Sequence, residues 1–237
     1  MLTSLDVVAR LQGEADQVLA GRLEGLVRRG QAVTCRAGCA HCCRQLVVIS
    51  PLEAHALAAY VEASGREGEF RERITVWEAR VAEHPGLGLA LQAFRAAEGY
   101  PSSETGSRLE SEYWAARLEC PFLDGDRCGV YPARPFACRE HHVTSDPELC
   151  REDLDAPTVA PTRLEYRTLS AWIGVEQLRL PDRQLPLPEA LEYSRTHPEA
   201  RAAGVGEAEL GNALLQGRRR LAAALSRLGI RGDVPRH

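Results

Sequence analysis

Eight cysteines stand in a chain of 237 residues, and their spacing is what could do chemistry. Four of them fall in one short run, Cys35-Arg-Ala-Gly-Cys39-Ala-His-Cys42-Cys43, a C-x3-C-x2-C-C pattern. A second run, Cys120-Pro-Phe-Leu-Asp-Gly-Asp-Arg-Cys128, continues through Arg134-Pro135 to Cys138-Arg139, and Cys150 follows the turn-like Ser145-Asp146-Pro147. Thiolates this close in sequence can converge on one soft metal: zinc takes four ligands, with sulfur at about 2.3 Å, and iron–sulfur clusters are also held by four cysteines. A single buried cysteine behaves as a small hydrophobe, but a run of four is not explained that way. Disulfides belong to oxidising compartments. The start, Met1-Leu2-Thr3-Ser4-Leu5-Asp6, shows no basic segment followed by an apolar one, so a cytoplasmic protein with reduced thiols is expected.

The doubled cysteine adds a constraint. Adjacent side chains point apart, by about 100° in a helix and oppositely in a strand. One ion therefore does not readily take both Cys42 and Cys43; the pair serves two centres, or one member stands behind the other. Eight thiolates match two four-cysteine sites, or one such site plus structural thiols. A helix over 35–43 would gather Cys35, Cys39, Cys42 and Cys43 within about a third of its circumference. A loop turning at Gly38 converges them equally well, so both conformations remain open. The stretch from Asp124 to Arg127 suits a turn that brings Cys120 and Cys128 together. Four thiolates around zinc carry about −2 and need cations or N–H donors, which Arg36, Arg44, Arg127, Arg134 and Arg139 lie close enough in sequence to supply. His41, His141 and His142 could each replace a thiolate, but read better as supporting groups. Asp124 and Asp126 read as turn residues, and Arg134 as a residue holding its loop.

Composition narrows the function. The formal net charge is −4, the wrong sign for a nucleic-acid surface. Arg218-Arg219-Arg220 reads as a solvated helix face. All basic residues are arginine, which removes lysine nucleophiles and Schiff bases. No apolar run approaches the roughly 18 residues of a membrane span.

The elements that must position the cysteines are mostly helices. Val8, Leu11, Ala15, Val18, Leu19, Leu23, Leu26 and Val27 recur at three and four, with Thr3 and Asp6 beginning a helix and Gly30 ending it. Leu46 to Ile49 reads as a short extended piece. Ser50-Pro51-Leu52-Glu53 carries the signature of a capping box with proline at the first helical position, opening a helix to about Ser64 with Leu52, Ala56, Ala59 and Tyr60 inward. Residues 67–98 read as two helices broken at Pro85-Gly86, Pro101 to Gly106 as a turn, and Arg108 to Arg117 as a short helix. Leu164 to Leu178 reads as helical. A last helix places Leu210, Leu214, Leu221, Leu225 and Leu228 on one face and closes at Gly229. Gly204-Val205-Gly206 reads as a loop leading into it, with no strand before it.

These residues resemble the YkgJ-type cysteine-cluster family of zinc- or iron-chelating domains. Cys35, Cys39, Cys42 and Cys43 match its first motif; Cys120-Pro121-Phe122-Leu123, Cys128, Tyr131, Arg134-Pro135 and Cys138-Arg139 match its second, so the resemblance covers about residues 30–155. It implies bound zinc or an iron–sulfur cluster. Relatives include a flagellin lysine N-methylase, which makes an enzyme conceivable by analogy, although the chain shows no Gly-rich strand-to-helix turn for S-adenosylmethionine. A C-x3-C-x2-C run also marks radical S-adenosylmethionine enzymes, but the extra Cys43, the second motif and the lack of alternating strands and helices argue against that fold. The expectation is a mostly α protein, an irregular helical domain with cysteine-rich metal-binding loops over 1–155 and a helical extension over 156–237 packed on it. Its metal ligands are Cys35, Cys39, Cys42, Cys43, Cys120, Cys128, Cys138 and Cys150, holding zinc or an iron–sulfur cluster in one or two centres. Metal handling or redox chemistry is the leading role, with a cluster-dependent protein-modifying enzyme and a structural zinc interaction module as alternatives. The partner is a protein or a small molecule, with no nucleic acid and no membrane.

Overall fold

The structure, a computed structural model, describes residues 1–36, 38–97, 101–153, 155–160, 166–201 and 203–227. It is mostly α, as the sequence implies. A two-residue strand, β1 (Leu2–Thr3), leads into helix α1 (Ser4–Arg28). Thr3 Oγ1 accepts from the Asp6 N–H at 3.3 Å, and the Asp6 carboxylate accepts from the Thr3 N–H at 2.8 Å, a complete capping box. The helix ends at Gly30, φ 72°, where Gly30 N–H bonds Val27 O and Gln31 N–H bonds Leu26 O. Those are the two hydrogen bonds of a Schellman turn, which needs the left-handed residue that glycine supplies. Val7, Val8, Leu11, Ala15, Leu19 and Leu26 face inward, while Val27, expected on that stripe, is exposed.

A loop and the 3-10 turn His41–Arg44 carry the first cysteine run to β2 (Val48–Ile49) and α2 (Pro51–Ala63). Helix α2 has the expected Ser50/Glu53 capping box but not the expected single inward stripe. Leu52, Ala54, Ala56, Leu57, Ala58 and Val61 are all buried, along with Glu53 and His55, whereas Ala59 and Tyr60 are half-buried. A helix apolar on nearly every side is one enclosed by neighbours, and α2 runs through the middle of the molecule. Helices α3 (Glu67–Ala82), α4 (Pro85–Ala96) and α5 (Ser103–Ala116) build a spacer around Trp77, Leu87, Leu91, Phe94, Leu109 and Tyr113. Helix α5 begins inside the stretch expected to be a turn, because Ser102 Oγ accepts from the Thr105 N–H at 3.1 Å and so starts the helix early.

The second cysteine run forms a hairpin of β3 (Leu123–Asp124) and β4 (Arg127–Cys128), with Leu123 opposite Cys128. Gly125, φ 59°, makes its turn. The 3-10 turn Tyr131–Ala133 and the short helices α6 (Phe136–Glu140) and α7 (Leu149–Glu152) follow. Then come α8 (Tyr166–Leu178), β5 (Leu185–Pro186), α9 (Ala190–Thr196), α10 (Pro198–Arg201), β6 (Gly204–Val205) and α11 (Glu207–Arg227). Strand β5 pairs with β2, and β6 pairs with β1. The sequence reading missed the second pairing: Gly204-Val205 is itself a strand, made by antiparallel bonds to the first residues of the chain. Such a pairing is set by tertiary proximity, not by local propensity.

Residues after 155 share a core with those before it. Val7, Leu11, Leu52, Phe136, Tyr166, Ile173, Leu210 and Leu214 belong to one cluster, and Ile49, Leu57, Phe70, Phe122, Leu187 and Leu191 to another. On α11, Leu210 and Leu214 are buried and Leu221 half-buried; the side chain of Leu225, and residues Leu228 and Gly229, lie outside the described residues. The arginine run is solvated at Arg219 and Arg220, but Arg218 is half-buried and bonds Glu14 at 2.5 Å.

Candidate metal centre

Each cysteine sits where backbone geometry has prepared a place for it. Thr34 N–H bonds the Val143 carbonyl at 3.0 Å, and the Val143 N–H in turn donates to Cys35 Sγ at 3.3 Å. The thiol is thus held against the segment between Cys138 and Cys150. Gly38, φ 85°, then bends the chain, and Cys42 and Cys43 fall on the 3-10 turn. The first run is therefore a loop and a turn, not the α-helix that its wheel also allowed; a residue at that φ does not continue a helix.

The two runs meet directly, since Cys120 N–H donates to the Cys43 carbonyl at 2.8 Å. The thiols of Cys120 and Cys128 pack against the core containing Phe70 and Phe122. Cys138 lies on α6, whose start is clamped from the middle of the molecule. Glu53 Oε1 accepts from the Phe136 N–H at 3.0 Å, while its Oε2 caps α2 through Ser50 N–H at 3.1 Å. One buried carboxylate therefore aligns two helix starts. Cys150 is buried on α7, which packs on the turn His41–Arg44, and Gln45 Nε2 donates to the Cys150 carbonyl at 3.5 Å.

The arginines divide their work differently from the expectation that all five could face the thiols. Arg139 is the loop holder: Nη1 pairs with Asp16 at 2.7 Å, Nε bonds the Arg134 carbonyl at 3.0 Å, and Nη2 bonds the Pro132 carbonyl. Arg134, expected to hold the loop, instead lies 4.2 Å over the Tyr131 ring, and its charge favours the thiolates of Cys42, Cys128 and Cys138. Arg44 pairs with Glu119, and Arg36 and Arg127 are exposed. Asp124 is a turn residue that also pairs with Arg66 at 2.8 Å and Arg73 at 3.1 Å. Buried ring nitrogens of His141 and His142 have no hydrogen-bond partner among the described residues, and burial lowers both imidazole pKa values.

The thiols influence one another across both runs. Interaction between the adjacent Cys42 and Cys43 thiols lowers the pKa of Cys42 and raises that of Cys43. The thiolates of Cys42, Cys120 and Cys138 add to the rise at Cys43. Burial pushes Cys120 up to about 12, aided by Cys128 and Cys42 and opposed by N–H donors at Phe122 and Leu123. Burial raises Cys138 well above the ordinary value and raises Cys128, which a Val130 N–H opposes. Burial takes Cys150 up to about 11, helped by Cys42, Cys35 and Cys39. Cys42 is the common neighbour: its charge acts on Cys35, Cys120, Cys128, Cys138 and Cys150, while Cys43 is acted on by Cys42, Cys120 and Cys138.

All eight cysteines are free thiols. Partly buried thiols with backbone N–H donors and one nearby guanidinium are surroundings that suit a thiolate-bound metal, so the donor chemistry fits zinc or iron. Among the described residues, no three Cys, His, Asp or Glu side chains already stand at the spacing of a closed coordination shell.

Comparison with known proteins supplies one match. No curated protein matches the chain, and no solved structure does. A family profile matches residues 34–155, just over half of the chain. Its title spacing has two residues between the first cysteines, where this chain has three, Arg36, Ala37 and Gly38. With both cysteine runs inside the matched segment, the chain belongs to the family described as "CxxCxxCC: Putative zinc- or iron-chelating domain".

Proposed function

We propose that the eight cysteines hold zinc or iron in two adjacent four-thiolate centres, one on Cys43, Cys120, Cys128 and Cys138 and the other on Cys35, Cys39, Cys42 and Cys150, and that the protein works in metal handling or redox chemistry. The observation that supports this reading is the direct meeting of the two cysteine runs, with the Cys120 N–H on the Cys43 carbonyl and α7, which bears Cys150, packed on the same turn. The division meets the constraint that adjacent side chains point apart. A bound zinc would supply Lewis acidity or structural cross-linking, and an iron–sulfur cluster one-electron transfer. The chain's own part is to gather thiols, shield them and oppose their charge with Arg134 and the N–H groups of Phe122, Leu123, Val130 and Val143.

A second reading, a cluster-dependent protein-modifying enzyme, is favoured by a cleft that reaches Cys120, since an active site expects a pocket with polar groups beside its metal. Anaerobic purification with metal analysis and an absorption spectrum tests the main reading. Brown protein with iron and acid-labile sulfide supports clusters, and colourless protein with two zinc per chain supports zinc. Stoichiometric disulfides without metal would refute both.

A further inference from the structure

Outside the cysteine turn, a cleft of about 490 Å³ opens between α3, the end of α5 and the segment from Leu118 to Gly125. That volume lies within the range of small-molecule sites. Its apolar wall is built from Val76, Pro121 and Leu123, with Trp77 and Leu118 themselves almost wholly buried, and Arg73, Arg80, Arg117 and Cys120 also line it.

The charges in the cleft are unevenly balanced. Arg73 is occupied by Glu69 at 2.6 Å and Asp124 at 3.1 Å. Glu119, the cleft's own carboxylate, is engaged by Arg44. Among the described residues, Arg80 pairs only with the exposed Glu83, at 3.2 Å. Arg117 has no carboxylate partner among the described residues; it lies 4.3 Å over the Trp114 ring and donates to the Arg151 carbonyl at 2.7 Å. Arg117 also holds φ 52°, a left-handed value unusual for a residue other than glycine, at the end of α5.

We propose that the cleft binds a small organic anion, a carboxylate, phosphate or sulfonate on a flat apolar body. The anionic group lies between Arg80 and Arg117, and the body lies against Val76, Pro121 and Leu123. A planar fork on an aromatic face suits such an anion. The ligand class follows from the cleft's own walls and does not depend on which metal the thiolates hold.

The test is fluorescence titration of the full chain, as purified with its metal, using 1-anilinonaphthalene-8-sulfonate and its neutral counterpart N-phenyl-1-naphthylamine. Saturable binding of one sulfonate per chain is expected, with the neutral compound at least tenfold weaker and phenyl phosphate displacing the sulfonate. Arg80→Ala, which removes only an exposed ion pair, weakens sulfonate binding about tenfold, whereas Arg95→Ala on α4 leaves it unchanged. Arg117→Gly, which keeps the left-handed backbone, weakens it similarly. Equal affinity for the neutral compound, or unchanged affinity in Arg80→Ala, overturns the proposal.

Discussion

The two cysteine regions differ in how they are built. The Cys120–Cys138 region rests on regular elements: a hairpin, a helix start clamped by Glu53, and a loop tied down by Arg139 to Asp16 on α1. The Cys35–Cys43 region, denser in cysteine, is a loop and one turn, closed against Val143 and α7 by a few bonds. Crowding of ligands in sequence and support in space are therefore separate properties. The second region is preorganised by the core, while the first gains its shape from contacts with distant segments. On this account the Cys43 set binds its metal more tightly and gives it up more slowly, because less ordering accompanies ligation.

The comparison can be broken by disturbing each support in turn. Phe136→Ala removes a ring that is fully buried in the main core and stacked on Tyr166 at 6.0 Å, at the start of the helix bearing Cys138. A loss of about 3–5 kcal/mol is expected in denaturant unfolding, with the Cys43-set metal lost first. Glu53→Ala removes the cap of α2 and leaves the Phe136 N–H without its acceptor, costing about 2–3 kcal/mol. Its distinguishing sign is faster metal release from the Cys43 set, read by transfer to a chromogenic chelator. Arg139→Ala frees the Pro132 and Arg134 carbonyls, at about 1–3 kcal/mol, much of it from these part-buried hydrogen bonds because Asp16 is half in water. Thr34→Val deletes only the hydroxyl bonds to Val143 and Ser145, and about 1 kcal/mol is expected. That change speeds chelator release from the Cys42 set alone. Were it to disturb both sets equally, the two regions would not be independent.

Local rules made much of this legible. The capping boxes at Thr3/Asp6 and Ser50/Glu53, the glycine stop at Gly30 and the turn at Gly125 are short-range signals, and each stands where expected. What sequence reading missed is carried by long-range contacts. Asp16 looks like a surface acid on an amphipathic helix until Arg139 arrives from far along the chain. Glu53 is legible as a cap but not as the clamp on Phe136, since nothing near either residue encodes the other. The loop-holding role read for Arg134 falls instead to Arg139 for the same reason: only the packing against α1, where Asp16 lies, decides which of the two holds the loop. Local signals start helix α5 too late because Ser102 reads equally as a turn residue, serine serving both structures.

The most direct test of the account is the metal content of Cys42→Ser and Cys43→Ser beside the unaltered chain, each purified anaerobically and counted by native mass spectrometry. Two centres divided at the doubled cysteine predict that each variant keeps one complete centre, with Cys43→Ser retaining the more labile one and Cys42→Ser the more persistent one. Equal and complete loss of metal from both variants would contradict it.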